Sequence, residues 1–132
     1  MTETICEIPM KLPSLNMYIN ECRRNKFAGA KMKADYEEAI GWFVKRLTPI
    51  EQPCIIHFTW IEKNQKRDID NVVFAKKFIL DSMVKCGVLP DDSRKWVRGF
   101  TDTIKQGADY KVIVEVENEK HAGKQIIKRI FG

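Results

Sequence analysis

The chemically most suggestive spacing in the chain is Arg67-Asp68-Ile69-Asp70-Asn71. In extended backbone successive side chains alternate, so Asp68 and Asp70 point to the same side. A second acidic pair, Asp91-Asp92, follows Gly87-Val88-Leu89-Pro90. Mg²⁺ takes oxygen ligands in a near-octahedral shell and keeps several waters. Two or three carboxylates can hold one or two such ions beside a phosphodiester, where the metal polarises the phosphate and activates a water. Ordinary structure explains the same residues differently. Asp70 is a good N-cap for a helix starting at Asn71, and Asp91-Asp92-Ser93 suits a turn. The spacing alone leaves both readings open.

Lys76 and Lys77 stand close behind the first pair. Lys77 lies seven residues after Asp70, two helical turns on along one face, where a lysine neutralises charge developing on a phosphate. It also stands at i, i+4 from Asp81, the spacing of a surface ion pair. Arg23, Arg24, Lys26, Lys31 and Lys33 form a basic run with no acid between them. Such a run is either a phosphate-contact surface or a solvated charge cluster. His57 and His121 stand alone, and no Ser-His-Asp arrangement, G-x-G-x-x-G or Walker A loop is present. Trp42, Trp60 and Trp96 read as packing residues.

The elements that must position these residues follow from periodicity. Thr4 to Met10 alternates loosely and ends at Pro13, giving a first strand. Leu12 to Asn16 reads as a turn, and Cys22 to Lys33 as a mobile basic loop running into a helix. Met32, Tyr36, Ala39, Ile40, Phe43 and Leu47 recur at spacings of three and four, predicting a helix over 31–47. Residues 54–61 are apolar on both faces of a strand, which predicts a central position in the sheet. A second helix is predicted over 71–86, with Gly87 at its C′ position and Pro90 beyond. It is apolar over more than one face, which hints at a homodimer. At about 1.5 Å per residue such a helix separates the two acidic pairs by roughly 24 Å. They meet only if the chain returns alongside the helix, or across a dimer axis. Two strands, 96–103 and 110–116, close the domain around a Gln106–Asp109 turn.

The order β-α-β-α-β-β predicts an α+β domain with a mixed sheet of about four strands and two main helices. The domain is expected over 1–118, with a basic tail over 119–132. At 132 residues the chain is one domain by length, and 44% hydrophobic residues exclude disorder as a whole. The net charge of +5 suits an anionic partner such as nucleic acid. Cys6, Cys22, Cys54 and Cys86 show no CxxC spacing and read as reduced, mostly buried thiols. With no leader-like start and no apolar stretch of spanning length, a cytoplasmic protein without membrane partners is expected.

The ordered set of Arg67-Asp68-Ile69-Asp70-Asn71, Lys76-Lys77, Leu80-Asp81, Gly87 and Asp91-Asp92 resembles the RusA-like Holliday junction resolvases, common in bacteria and their prophages. The resemblance runs from the Pro13-Ser14-Leu15-Asn16 turn to the last strand. It implies a small dimeric endonuclease, dependent on Mg²⁺ (with Mn²⁺ as a substitute), that nicks four-way DNA symmetrically in recombination and repair. It implies that Asp68, Asp70 and Asp92 are the metal-binding and catalytic carboxylates. The family's lysine maps to Lys77, counting back from Asp81, with Lys76 the alternative. The helix carries three extra residues between Asp70 and Asp81 relative to the best-known members. Arg23, Arg24, Lys26, Lys31, Lys33 and Arg67 are the expected DNA contacts. The rival readings are a non-catalytic branched-DNA-binding protein, a metal-dependent nuclease with another nucleic-acid target, and a small partner-binding protein whose acidic pairs are only caps and turns. No small-molecule cofactor is expected.

Overall fold

Four strands and four helices are present in the computed structural model, which describes residues 4–119. The strands are β1 (Ile5–Ile8), β2 (Cys54–Glu62), β3 (Val97–Gln106) and β4 (Lys111–Asn118). The helices are α1 (Leu15–Arg24), α2 (Ala28–Val44), α3 (Ile69–Val73) and α4 (Lys76–Lys85). The chain is a small α+β domain with a four-stranded mixed sheet, as its periodicities predict.

The sheet order is β1-β4-β2-β3. β2 is interior, as its two apolar faces require, and pairs parallel to β3 and antiparallel to β4. A parallel pair needs a crossover connection, and α3 and α4 supply it. β3 and β4 follow each other in the chain but do not pair, because β2 lies between them. The 106–109 segment is therefore a bridge over the end of β2 rather than a hairpin turn. Gly107 allows that crossing: its N–H donates to Glu62 O at 2.9 Å, and a Cβ there would meet Ile61 Cγ2 at 2.6 Å.

Ile56, Phe58 and Trp60 of β2, Ile8 of β1 and Val112 and Val114 of β4 form the sheet's share of the core. Ile40 and Val44 of α2 and Phe78, Ile79 and Met83 of α4 pack into the same core. The all-round apolar character of the second helix is thus satisfied within one chain, and it gives no support to a dimer. That helix is also not continuous. It breaks between α3 and α4, where Phe74 stacks on Tyr18 (ring centroids 5.4 Å apart) and Phe78 meets the edges of both rings.

Three further expectations change. The turn before Asn16 continues as α1, because Ser14 Oγ accepts from Met17 N at 3.1 Å and caps the helix. The basic run is mostly helical: it spans the end of α1, a short link and the start of α2. The cysteines are free thiols, but only Cys6 and Cys54 are buried, while Cys22 and Cys86 are exposed. Burial pushes the Cys54 thiol up to about 11. No helix among the described residues is long and apolar enough to cross a membrane. Glu119 N donates to Pro53 O at 2.8 Å, so the first residue of the expected tail is tied to the domain. The rest of that tail, His121 included, lies outside the described residues.

Candidate metal and phosphate site

The aspartate motif leaves β2 through a polar link that is clamped at its end. Arg67 grips the carboxylate of Glu62 in a fork, Nε to Oε1 at 2.8 Å and Nη2 to Oε2 at 2.7 Å. Its Nη1 donates to Leu12 O at 2.8 Å. The pair is nearly buried, with side chains 16% and 9% exposed. One guanidinium therefore fastens the end of β2, the segment before α1 and the start of the motif. Arg67, expected at a DNA surface, is engaged inside the protein.

Asp68 is the N-cap of α3 with extended backbone (φ −68°, ψ 156°), and its side chain makes no capping bond. The cap falls on Asp68, not on Asp70, which stands in the first turn. Both residues are exposed. Among the described residues neither carboxylate takes part in a hydrogen bond or ion pair. Asn71 Oδ1 accepts from Asn16 N at 3.1 Å and ties α3 to the start of α1.

The second acidic pair comes back to the start of α4 through the turn after that helix. Gly87 adopts φ 77°, the left-handed conformation that ends helices. Val88 N and Leu89 N both donate to Met83 O, at 2.9 and 3.1 Å, and Ile50 N donates to Val88 O at 2.7 Å. Val88 and Leu89 are buried, so the return is pinned by packing. Asp92 Oδ2 then reaches Lys77 Nζ at 3.0 Å, in the first turn of α4. The chain thus returns alongside α4 as far as Lys77 within one subunit. Asp91 Oδ1 accepts from Ser93 N at 2.8 Å and serves the turn itself.

The two lysines part company. Lys77 lies between Asp92 and Asp81, whose Oδ1 is 3.1 Å away. Lys76 turns to the sheet, pairs with Asp102 at 2.7 Å and sits over the Phe100 ring. Hydrogen bonds to Asp92 and then Asp81 hold the Lys77 ammonium above its ordinary pKa. Asp81 is the hub of this network. Burial pushes its pKa upward, but the hydrogen bonds and charges of Lys33 and Lys77 outweigh that and hold the carboxyl below its ordinary value.

Lys33 is the member of the basic run that does not face outward. Its Nζ lies 2.6 Å from Asp81 Oδ2, joining α2 to α4, and 2.8 Å from Oε1 of the buried Glu37, near enough for attraction but without hydrogen-bond alignment. Lys85 also pairs with Glu37. The hydrogen bond to Asp81, then that environment at Glu37, raises the Lys33 pKa far above the ordinary lysine range. Arg23, Arg24, Lys26 and Lys31 are exposed. Arg24 lies 3.6 Å from Glu21, and Lys31 lies 2.7 Å from Asp35, a surface pair.

Asp68, Asp70 and Asp92 are not gathered into one cage: among the described residues no three His, Cys, Asp or Glu side chains stand together as a metal-holding group. The donor chemistry nevertheless suits a hard cation. Mg²⁺ is commonly held by one or two carboxylates, with waters and substrate phosphates completing its shell. Asp68 and Asp70 offer free carboxylate oxygens at the start of α3, and Asp92 sits on Lys77 in the first turn of α4. Sequence reasoning missed the Glu62–Arg67 fork and the role of Lys33. The i, i+4 spacing of Lys77 and Asp81 was the readable trace of the hub. Neither the models of known protein families nor the curated proteins supply a match to this chain.

Proposed function

We propose that this protein is a Mg²⁺-dependent endodeoxyribonuclease that acts as a homodimer on branched DNA, resolving four-way Holliday junctions by paired nicks. The reading rests on the motif resemblance. Its main structural support is the contact between Lys77 and Asp92, which brings the later acidic pair to the motif's lysine in a single chain. Asp68, Asp70 and Asp92 are the residues that would hold the ion, with Asp68 and Asp70 free to do so. When bound, the ion would supply phosphate polarisation, water activation and charge relief at the leaving oxygen.

The chain's own residues do the rest. Lys77, kept protonated by Asp81 and Asp92, turns its ammonium to a non-bridging phosphate oxygen and stabilises the charge that develops there. Asp81 and Lys33 hold the first turns of α4 against α2, so that Lys77 starts from a fixed place. The Arg67–Glu62 fork fixes the backbone that carries Asp68 and Asp70. Arg23, Arg24, Lys26 and Lys31 contact DNA backbones, making binding sensitive to salt. A cytoplasmic location belongs to the same reading, since free thiols suit a reducing compartment.

One observation favours a second reading. The three aspartates do not form a cage, which suits a non-catalytic protein that binds branched DNA. An immobile four-way junction and a linear duplex of the same sequence, each incubated in Mg²⁺ and in EDTA, separate the two. Opposed nicks in the junction, lost in EDTA, are expected. Tight junction binding with no cutting in either buffer establishes the second reading, and equal cutting of the duplex removes the junction specificity.

A further inference from the structure

All four strands meet at one end of the sheet, and each brings a lysine to it. β1 runs out at Ile8, opposite Val112 near the start of β4. β2 and β3 run parallel and finish together, Glu62 beside Gln106. Lys11 follows β1, Lys63 follows β2, Lys105 stands one residue before the end of β3, and Lys111 begins β4. Pairing sets Lys105 and Lys111 on either side of Ile61. The four lysines and Tyr110 line one open groove of about 830 Å³.

The acids in this groove are Glu7 and Asp109. Glu7 stands 3.5 Å from Lys111 and offsets it. Asp109 is exposed in the bridge after β3. Lys11, Lys63 and Lys105 are exposed as well, and among the described residues none of them pairs with a carboxylate. Lys11 Nζ lies 4.7 Å from the centroid of the Tyr110 ring, and Lys63 Nζ lies 5.7 Å from it. Two ammonium groups drawn to one ring repel each other, and an anion beside them would relieve that repulsion. Exposed lysines hold a single small anion weakly. A polyanion makes several such contacts at once and gains by releasing its counterions. The groove also borders the aspartate motif. Lys11 precedes Leu12 and Lys63 follows Glu62, the two residues that Arg67 clamps directly before Asp68. The exposed cations of the basic run lie elsewhere. Asn16, at the start of α1, is the residue tied to Asn71, about 12 Å along the helix from Arg24.

We infer that this strand-end groove is a second nucleic-acid contact, in which Lys11, Lys63 and Lys105 hold the phosphate backbone of the DNA arm that leads away from the aspartate motif. The inference rests on the nuclease reading for its substrate, but its test does not involve cutting. Binding of the full chain to the immobile four-way junction and to the linear duplex is measured in EDTA, by fluorescence anisotropy over a salt series. Lys11→Gln with Lys63→Gln removes two cations from exposed positions of the groove. Lys45→Gln with Arg46→Gln, two exposed cations just beyond α2, is the charge-matched control. Circular dichroism checks the fold of both, and Lys105→Gln is an independent variant should the first pair disturb Tyr110 and unfold.

The Lys11–Lys63 variant is expected to bind the junction at least about tenfold more weakly at roughly 0.1 M salt, with the slope of log affinity against log salt shallower by about two. Lys105→Gln is expected to make the slope shallower by about one, and the control to bind like the wild type. Groove variants that match the control would overturn the proposal, even where the wild type cuts junctions. A wild type that binds vesicles of anionic lipid but no DNA would overturn it too and make a membrane the occupant. Junction binding that follows the expected pattern, with no cutting once Mg²⁺ is added, would leave the proposal standing and sink the nuclease reading.

Discussion

Replacing Arg67 by methionine tests how the aspartate motif is held. The change keeps much of the side chain's length but removes three hydrogen bonds, two to Glu62 and one to Leu12 O. Glu62, with a side chain only 9% exposed, would be left as an unpaired charge. Breaking a buried pair from one side typically costs about 3–5 kcal/mol, most of it the desolvation of the abandoned partner. For a domain of this size each kcal/mol moves the midpoint by roughly 3–5 °C. A fall in Tm of about 10–20 °C is therefore expected by calorimetry. The double variant Arg67→Met with Glu62→Leu removes both charges and is expected to recover most of that loss. Junction cutting by the single variant, measured well below its Tm, is expected to fall as well, because Asp68 follows Arg67 directly. A loss below about 1 kcal/mol for Arg67→Met would place the pair among solvated surface bridges and refute the clamp.

Three other outcomes follow from the same geometry. Lys77→Met is expected to lower cutting about a hundredfold or more with little change in Tm, its side chain being 56% exposed, whereas Lys76→Met is expected to alter Tm and leave the cutting rate near wild type. Asp81, its carboxyl held below the ordinary value, contributes stability that is present above the unfolded-state pKa of about 4 and is lost as pH falls through the lower folded value; acid unfolding of Asp81→Asn is expected to lack that step in a pH series of denaturant melts. Lys31→Ala is expected to weaken junction binding and reduce its salt dependence by about one phosphate contact without affecting stability, while Lys33→Ala, which leaves Asp81 and Glu37 without their shared cation, is expected to lower Tm.

Periodicity carried most of the architecture. The alternation in 54–61 and the three-four spacing from Met32 onward are local patterns, and the corresponding elements lie within a few residues of their predicted limits. Strand order was not local. The Gln106–Asp109 link has the composition of a turn, and only the competition of β2 for both neighbours makes it a bridge. The break between α3 and α4 escaped because Val72-Val73-Phe74-Ala75 continues an apolar pattern; the ring of Tyr18 against Phe74 is a tertiary contact that no window contains. The same holds for the site. The spacing of Asp68, Asp70 and Lys77 was visible, and so was the difficulty of bringing Asp92 to them. Its approach to Lys77 depends on Val88 and Leu89 folding back onto Met83, which the Gly87 stop signal announced only in part. Arg67 and Lys33 were read by charge, and charge does not tell an exposed cation from one held by a buried glutamate.

The central claim is that Asp68, Asp70, Lys77 and Asp92 make one site within one chain. Mixed dimers of an Asp70→Asn subunit with a Lys77→Met subunit test it most directly. If each site is built within a single subunit, the mixed dimer has no intact site, and junction nicking stays at the level of the two inactive parents. Recovery of nicking to about half the wild-type rate per mixed dimer would mean that Asp70 of one chain works with Lys77 of the other, and would contradict the account.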